Sequence, residues 1–319
     1  MATGAPLDFV PEVNVLPAEL GAAPVWSWNL ITDVQEMWSF PFMVTAFRAG
    51  AVVAVVSAVM GYFVVLRRQT FAAHTLSTVA FPGAAGAVLF GFSAVYGYFA
   101  VCVAAAMVIA AIGWRGGGGG ADESALTGTV QAFLLAAGFL FITLYKGLLG
   151  GPQTILFGTF LGITTSQVNV LLGVGAVVLA VLAVIGRPLL FASVDPQAAA
   201  GRGVPVRALS VTFLVLLGAA TAEASQITGT LVVFALMVIP AATAQTVTGR
   251  PSTGLALSVL LALAATLLGL TTAYYRPYPL GFFVTSYAFA GYLLARSGRA
   301  LHTRLSRTGI PRQSKGATA

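Results

Sequence analysis

Few side chains in this 319-residue sequence can do chemistry. There are nine Asp and Glu, two His and a single Cys. One cysteine excludes an internal disulfide framework. Among the ligand-type groups, Cys102 lies inside an apolar run, His302 in a basic tail, and Glu223 at the end of another apolar run. His74 lies early in a further apolar run, and imidazole is a group that binds metals and carries protons. Five consecutive glycines at 116–120 invite a phosphate-cradle reading, but a P-loop closes on Gly-Lys-Ser/Thr and this run continues into Ala-Asp-Glu-Ser. The run reads as a flexible linker. No catalytic residues are assigned.

The elements that must position these groups are membrane helices. The chain is 58% hydrophobic and only 8% charged, against about 25% charged in soluble domains. A soluble fold of this size has too little interior to hide that much apolar surface. The 36 glycines fit helices that approach closely in lipid. A span needs about 20 mostly apolar residues. Nine segments qualify: 43–66, 71–91, 94–114, 126–146, 168–186, 207–222, 228–247, 253–273 and 279–295. The fold class is therefore all-α, a polytopic bundle of about 8–9 transmembrane helices.

Residues 1–42 contain no Lys or Arg, with Asp8, Glu12, Glu19, Asp33 and Glu36 among prolines. They do not match a signal peptide and read as an extracytoplasmic segment with Trp26, Trp28 and Trp38 at the interface. Residues 43–295 form the membrane domain and 296–319 a basic tail. Arg67, Arg68, Arg115, Arg187, Arg202, Arg207, Arg250 and the tail arginines fall on one side if nine helices follow an outside N-terminus. Only Arg48, Lys146 and Arg276 fall toward the other. Positive charge collects on the cytoplasmic side, so the C-terminus is expected inside a bacterial plasma membrane. The net charge of +7 thus reads as topology and not as a nucleic-acid footprint.

The loop 188–205 is long for a turn. Asp195-Pro196 predicts a short helix there, with Asp as N-cap and Pro at the first position. Pro82-Gly83 and Pro240 interrupt apolar runs and predict kinks or breaks.

Four stretches in order resemble one family, the permease subunits of ABC importers for zinc, manganese and iron. They are GYFVVLRRQTFAAHTLSTVAFPG (61–83), ILFGTFLGITTSQV (155–168), SVDPQAAAGRGVPV (193–206) and GTLVVFALMVIPAATA (229–244). SALTG at 124–128 is a weaker match, and PLGFFV at 279–284 falls where the family has a small Pro/Gly segment. The resemblance spans residues 40–295. It implies a non-enzymatic membrane subunit that pairs with a second copy of itself and engages two copies of a separate ATPase. ATP and Mg would sit on that ATPase and no cofactor on this chain. An extracytoplasmic binding protein would deliver cargo, a transition-metal ion or a metal chelate.

The resemblance also implies site residues. His74, Thr78, Pro82 and Gly83 fall in the block that faces the translocation path, and Asp195, Pro196, Gly201 and Gly203 in the loop that couples to the ATPase. The family carries an Asp, and a His four residues on, where this chain has His74 and Thr78; imidazole plus hydroxyl is a weaker pair for Zn²⁺ or Mn²⁺. Haem or a non-metal solute is therefore the alternative cargo. Arg48 is expected as an interface anchor or binding-protein contact. Glu223, beside Ser225 and Gln226, is expected as a solvated carboxylate of an outer loop with the same role. The rival class is an ion-coupled secondary carrier, which would need a buried ionisable relay; here that is at most His74 and Glu223.

Overall fold

A computed structural model describes residues 30–113, 120–145, 163–276 and 278–308. The glycines 116–119, most of the 155–168 stretch and the ends of the chain lie outside the described residues.

Helices occur where the apolar runs predict them, with α1 and α7 in addition outside those runs: α1 Leu30–Ser39, α2 Pro41–Leu66, α3 Thr70–Leu89, α4 Ala94–Gly113, α5 Gly120–Leu144, α6 Thr165–Val194, α7 Pro196–Gly201, α8 Val206–Thr228, α9 Thr230–Val247, α10 Pro251–Tyr275 and α11 Leu280–Thr308. No strand occurs among the described residues. Seven of these helices are long and apolar enough to cross a membrane, and Val232–Val247 is a shorter apolar helix. In lipid every backbone group must be satisfied within the protein, which a helix does alone.

Several boundaries differ from those expected. α6 continues through Pro188 to Val194, because a proline removes one amide donor and leaves only the Val184 carbonyl without its helical partner. α3 likewise runs unbroken through Pro82. α11 extends past the apolar run to Thr308, because hydropathy marks where lipid ends and not where a helix does. Residues 30–39 of the N-terminal segment form α1, which docks on α10 through a hydrogen bond from the Tyr274 hydroxyl to Glu36 (3.2 Å).

α2, α3 and α8 form the buried centre, while α5 and α6 present mostly exposed apolar faces; Val184 is 80% exposed. α2 packs on α6, α8, α9 and α10, and α3 on α4 and α5. Alternating passes place the α2–α3 turn, α7, the α9–α10 turn and the end of α11 at one end of the bundle. Most of the described arginines sit there. We call it the arginine end.

Two turns depend on glycine. Gly203, at φ +81°, ends the short helix α7. Gly229 is the only residue between α8 and α9, with φ 75° and ψ 156°, a conformation essentially reserved for glycine. It is buried between the buried Thr228 and Thr230.

Candidate translocation and coupling sites

His74 and Thr78 are one helical turn apart on α3 and share a face. From Ala72 to Gly86 every other residue is buried; these two alone are partly open. They form the accessible stripe of an otherwise enclosed helix. The His74 ring stands edge-on to Phe234 of α9, with centroids 4.9 Å apart. Its Nδ1 is buried and has no hydrogen-bond partner among the described residues. The Thr78 hydroxyl donates to the carbonyls of Thr75 (2.9 Å) and His74 (3.2 Å), so it is committed to its own backbone. The pair therefore presents one imidazole and no free hydroxyl proton.

Pro82 lies one turn above Thr78. Its missing amide leaves the Thr78 carbonyl without the usual helical donor. Gly83 is a close-packing position. A Cβ there would strike the backbone oxygen of Gly97 on α4, and a Cβ at Gly97 would strike that of Gly83. Pro82 is pressed in turn by Gly138 of α5, where a Cβ would lie 2.8 Å from the Pro82 Cβ. Pro82 and Gly83 thus join three helices within one protomer, while His74 and Thr78 open to a different face.

At the arginine end, Asp195 caps α7 by accepting the Ala198 amide at 2.9 Å, with Pro196 at the first helical position. Gly201 is the last residue of α7, and the Gly203 amide returns to the Ala200 carbonyl at 3.0 Å. Arg202 lies over the Phe191 ring at 5.4 Å. The mount of this helix is held by Arg67, a residue sequence reasoning used only as a topology marker. Its guanidinium donates to Ser193 Oγ (3.3 Å) on α6, Ser210 Oγ (2.7 Å) on α8 and Gln69 Oε1 (3.1 Å). It also covers the Phe213 ring at 5.3 Å. Ser193 and Ser210 flank α7 on both sides, so one side chain ties both roots of α7 to the α2–α3 turn. Only the proximity of Arg67 to the turn was visible in the sequence, since its partners lie 126 and 143 residues away.

Arg48 is exposed in the second turn of α2. Glu223 corrects the expectation of a solvated outer carboxylate: α8 extends past it to Thr228 and leaves it 2% exposed. Both carboxylate oxygens lack a hydrogen-bond partner among the described residues. Gly175 of α6 makes room for it; a Cβ there would lie 3.3 Å from Glu223 Oε1 and 3.0 Å from Val56 of α2. In this state a partner protein cannot reach Glu223. The polar Glu-Ala-Ser-Gln sequence suggested a loop, but buried helical backbone satisfies itself and tolerates such a patch. No group of three His, Cys, Asp or Glu side chains gathers among the described residues.

Known proteins share this architecture. A manganese transport system membrane protein of Halalkalibacterium halodurans is 29% identical over 237 residues, covering 74% of this chain and 78% of that protein. The manganese import system permease protein ScaB of Streptococcus gordonii is 29% identical over 241 residues, covering 76% and 85%. The structure of PsaBC from Streptococcus pneumoniae in complex with Fab superposes with a TM-score of 0.74 at 25% identity, covering 83% of this chain and 94% of that one. The ABC 3 transport family model matches residues 39–297. The chain belongs to the ABC 3 transport family.

Proposed function

We propose that this chain is the membrane-spanning subunit of an ATP-driven importer whose cargo is a transition-metal cation. The observation that carries the reading is α7. It is a capped, interfacial helix between two membrane helices, pinned at both roots by Arg67, at the end where the arginines collect. Such a helix is a surface against which a separate ATPase can push. Asp195, Pro196, Gly201 and Gly203 shape it. The arginine end is cytoplasmic in this reading, with the N-terminus outside. ATP hydrolysis belongs to a partner subunit in two copies, and a second copy of this permease completes the path. The opposite end receives cargo from a binding protein, with Arg48 exposed toward that side. Family membership and the manganese systems among its relatives support the cargo class.

His74 and Thr78 favour a second reading within the same class. With the threonine hydroxyl bonded to backbone, the stripe offers a single imidazole, which suits a pre-liganded metal, such as a chelate or haem, better than a bare ion. Two experiments divide these readings. Removal of 193–203 is expected to abolish co-purification with the cognate ATPase; unchanged association would sink the coupling assignment. In a deletion strain, uptake of Mn, Zn and Fe is expected to fall. Normal uptake of all three with loss of haem uptake would move the cargo to the chelate.

A further inference from the structure

α6 and α10 both pack on α2, and toward the arginine end they leave a groove of about 360 Å³ with α2 as its floor. Its walls are apolar, with Val59, Leu182, Leu190 and Leu255 among them. Its mouth is polar, because Arg187 and Ser252 lie at its edge and both are exposed. No carboxylate lines it. Arg187 has no hydrogen bond or ion pair to a described residue, in contrast to Arg67 at the same end, whose guanidinium is fully engaged. An apolar slot capped by a free cation, within a membrane protein, matches a molecule with an acyl chain and an anionic head.

We propose that this groove is a binding site for an anionic phospholipid, with its phosphate on Arg187 and one chain between α6 and α10. The site lies beside Pro188, two turns before the capped helix α7, on the helix that carries its root. The inference does not depend on the cargo.

The test uses the full chain. Cys102 is fully buried, so Ser252→Cys places a single reachable thiol at the mouth for a fluorophore. The labelled protein is reconstituted in phosphatidylcholine vesicles with a small fraction of chain-brominated phosphatidylglycerol or chain-brominated phosphatidylcholine. Phosphatidylglycerol is expected to quench with about fivefold higher apparent affinity, the weight of one arginine at a membrane surface. Arg187→Gln is expected to remove that preference. Gly186→Leu, at a groove position where a Cβ meets nothing within 4 Å, is expected to weaken quenching by both lipids. Arg296→Gln, on α11, is expected to leave the preference intact. Equal quenching by the two lipids, or a preference that survives Arg187→Gln, overturns the site. Disulfide-linked pairs of unlabelled Ser252→Cys protein without lipid quenching assign the groove to a second copy of the chain and overturn it as well.

Discussion

Glu223 occupies the position where a charge is hardest to keep. Val52 and Val56, its neighbours across Gly175, straddle the middle of α2, so the carboxylate lies near mid-depth of the bundle. A buried polar group without a partner costs about 1–3 kcal/mol, and a charged one more. Glu223→Leu is therefore expected to stabilise the detergent-solubilised protein by about 1–3 kcal/mol in thermal unfolding. A loss of stability would show that the carboxylate has a partner. His74 and Thr78 part company at the same scale. His74→Ala is expected to cut metal uptake about tenfold or more at unchanged membrane level, because it removes the one open ligand-type side chain of α3. Thr78→Val is expected to stay within about twofold, since only backbone-directed hydrogen bonds are lost. Equal effects would mean that the threonine hydroxyl turns toward cargo. The sequence placed His74 and Thr78 on one face because helical spacing is local. It misplaced Glu223, because burial of a polar patch is decided by helices 50 and 170 residues away.

Among the elements, α7 is the most dependent on single contacts. Asp195→Ala is expected to cost about 0.5–2 kcal/mol of local helix stability by loss of the cap, and Asp195→Asn to restore most of it. The readout is the ratio of cargo moved to ATP hydrolysed in the reconstituted complex, expected to fall for Asp195→Ala and recover for Asp195→Asn. Arg67→Ala is expected to lower the same ratio further, because α6 and α8 both lose their tie to the α2–α3 turn. The nine apolar runs were legible, since a 20-residue apolar segment has few other fates. Asp195-Pro196 was legible too, because capping chemistry is local. Helix ends were not. Pro188 and the residues after Ala295 look like terminators by composition, yet α6 gives up only one backbone hydrogen bond at Pro188 and α11 runs on past the apolar segment, exposed over 296–301.

At the scale of the molecule, small residues set the packing and arginines set the polarity. Gly83→Leu would drive a side chain into α4, and overpacking of this kind costs about 1–3 kcal/mol or more. The variant is expected to reach the membrane in reduced amount, read by immunoblot of membrane fractions, with Gly97→Leu behaving alike. The charge asymmetry predicts that a Ser297→Cys thiol on α11, at an exposed position, reacts with an impermeant maleimide in inverted vesicles and not in intact spheroplasts, against the silent background of buried Cys102. The reverse pattern would invert the topology.

The buried turn at Gly229 has a mechanical consequence. With a single residue between α8 and α9, closed in by Thr228 and Thr230, the two helices have no slack in their join. α8 cannot slide along its axis without drawing α9 after it. The far end of α8 begins beside α7, and α9 carries Phe234, the ring that faces His74. The hairpin is therefore a stiff crank between the arginine end and the open stripe of α3. Its pivot is the one position where a methyl group, in Gly229→Ala, would force the backbone out of the only conformation that closes the turn.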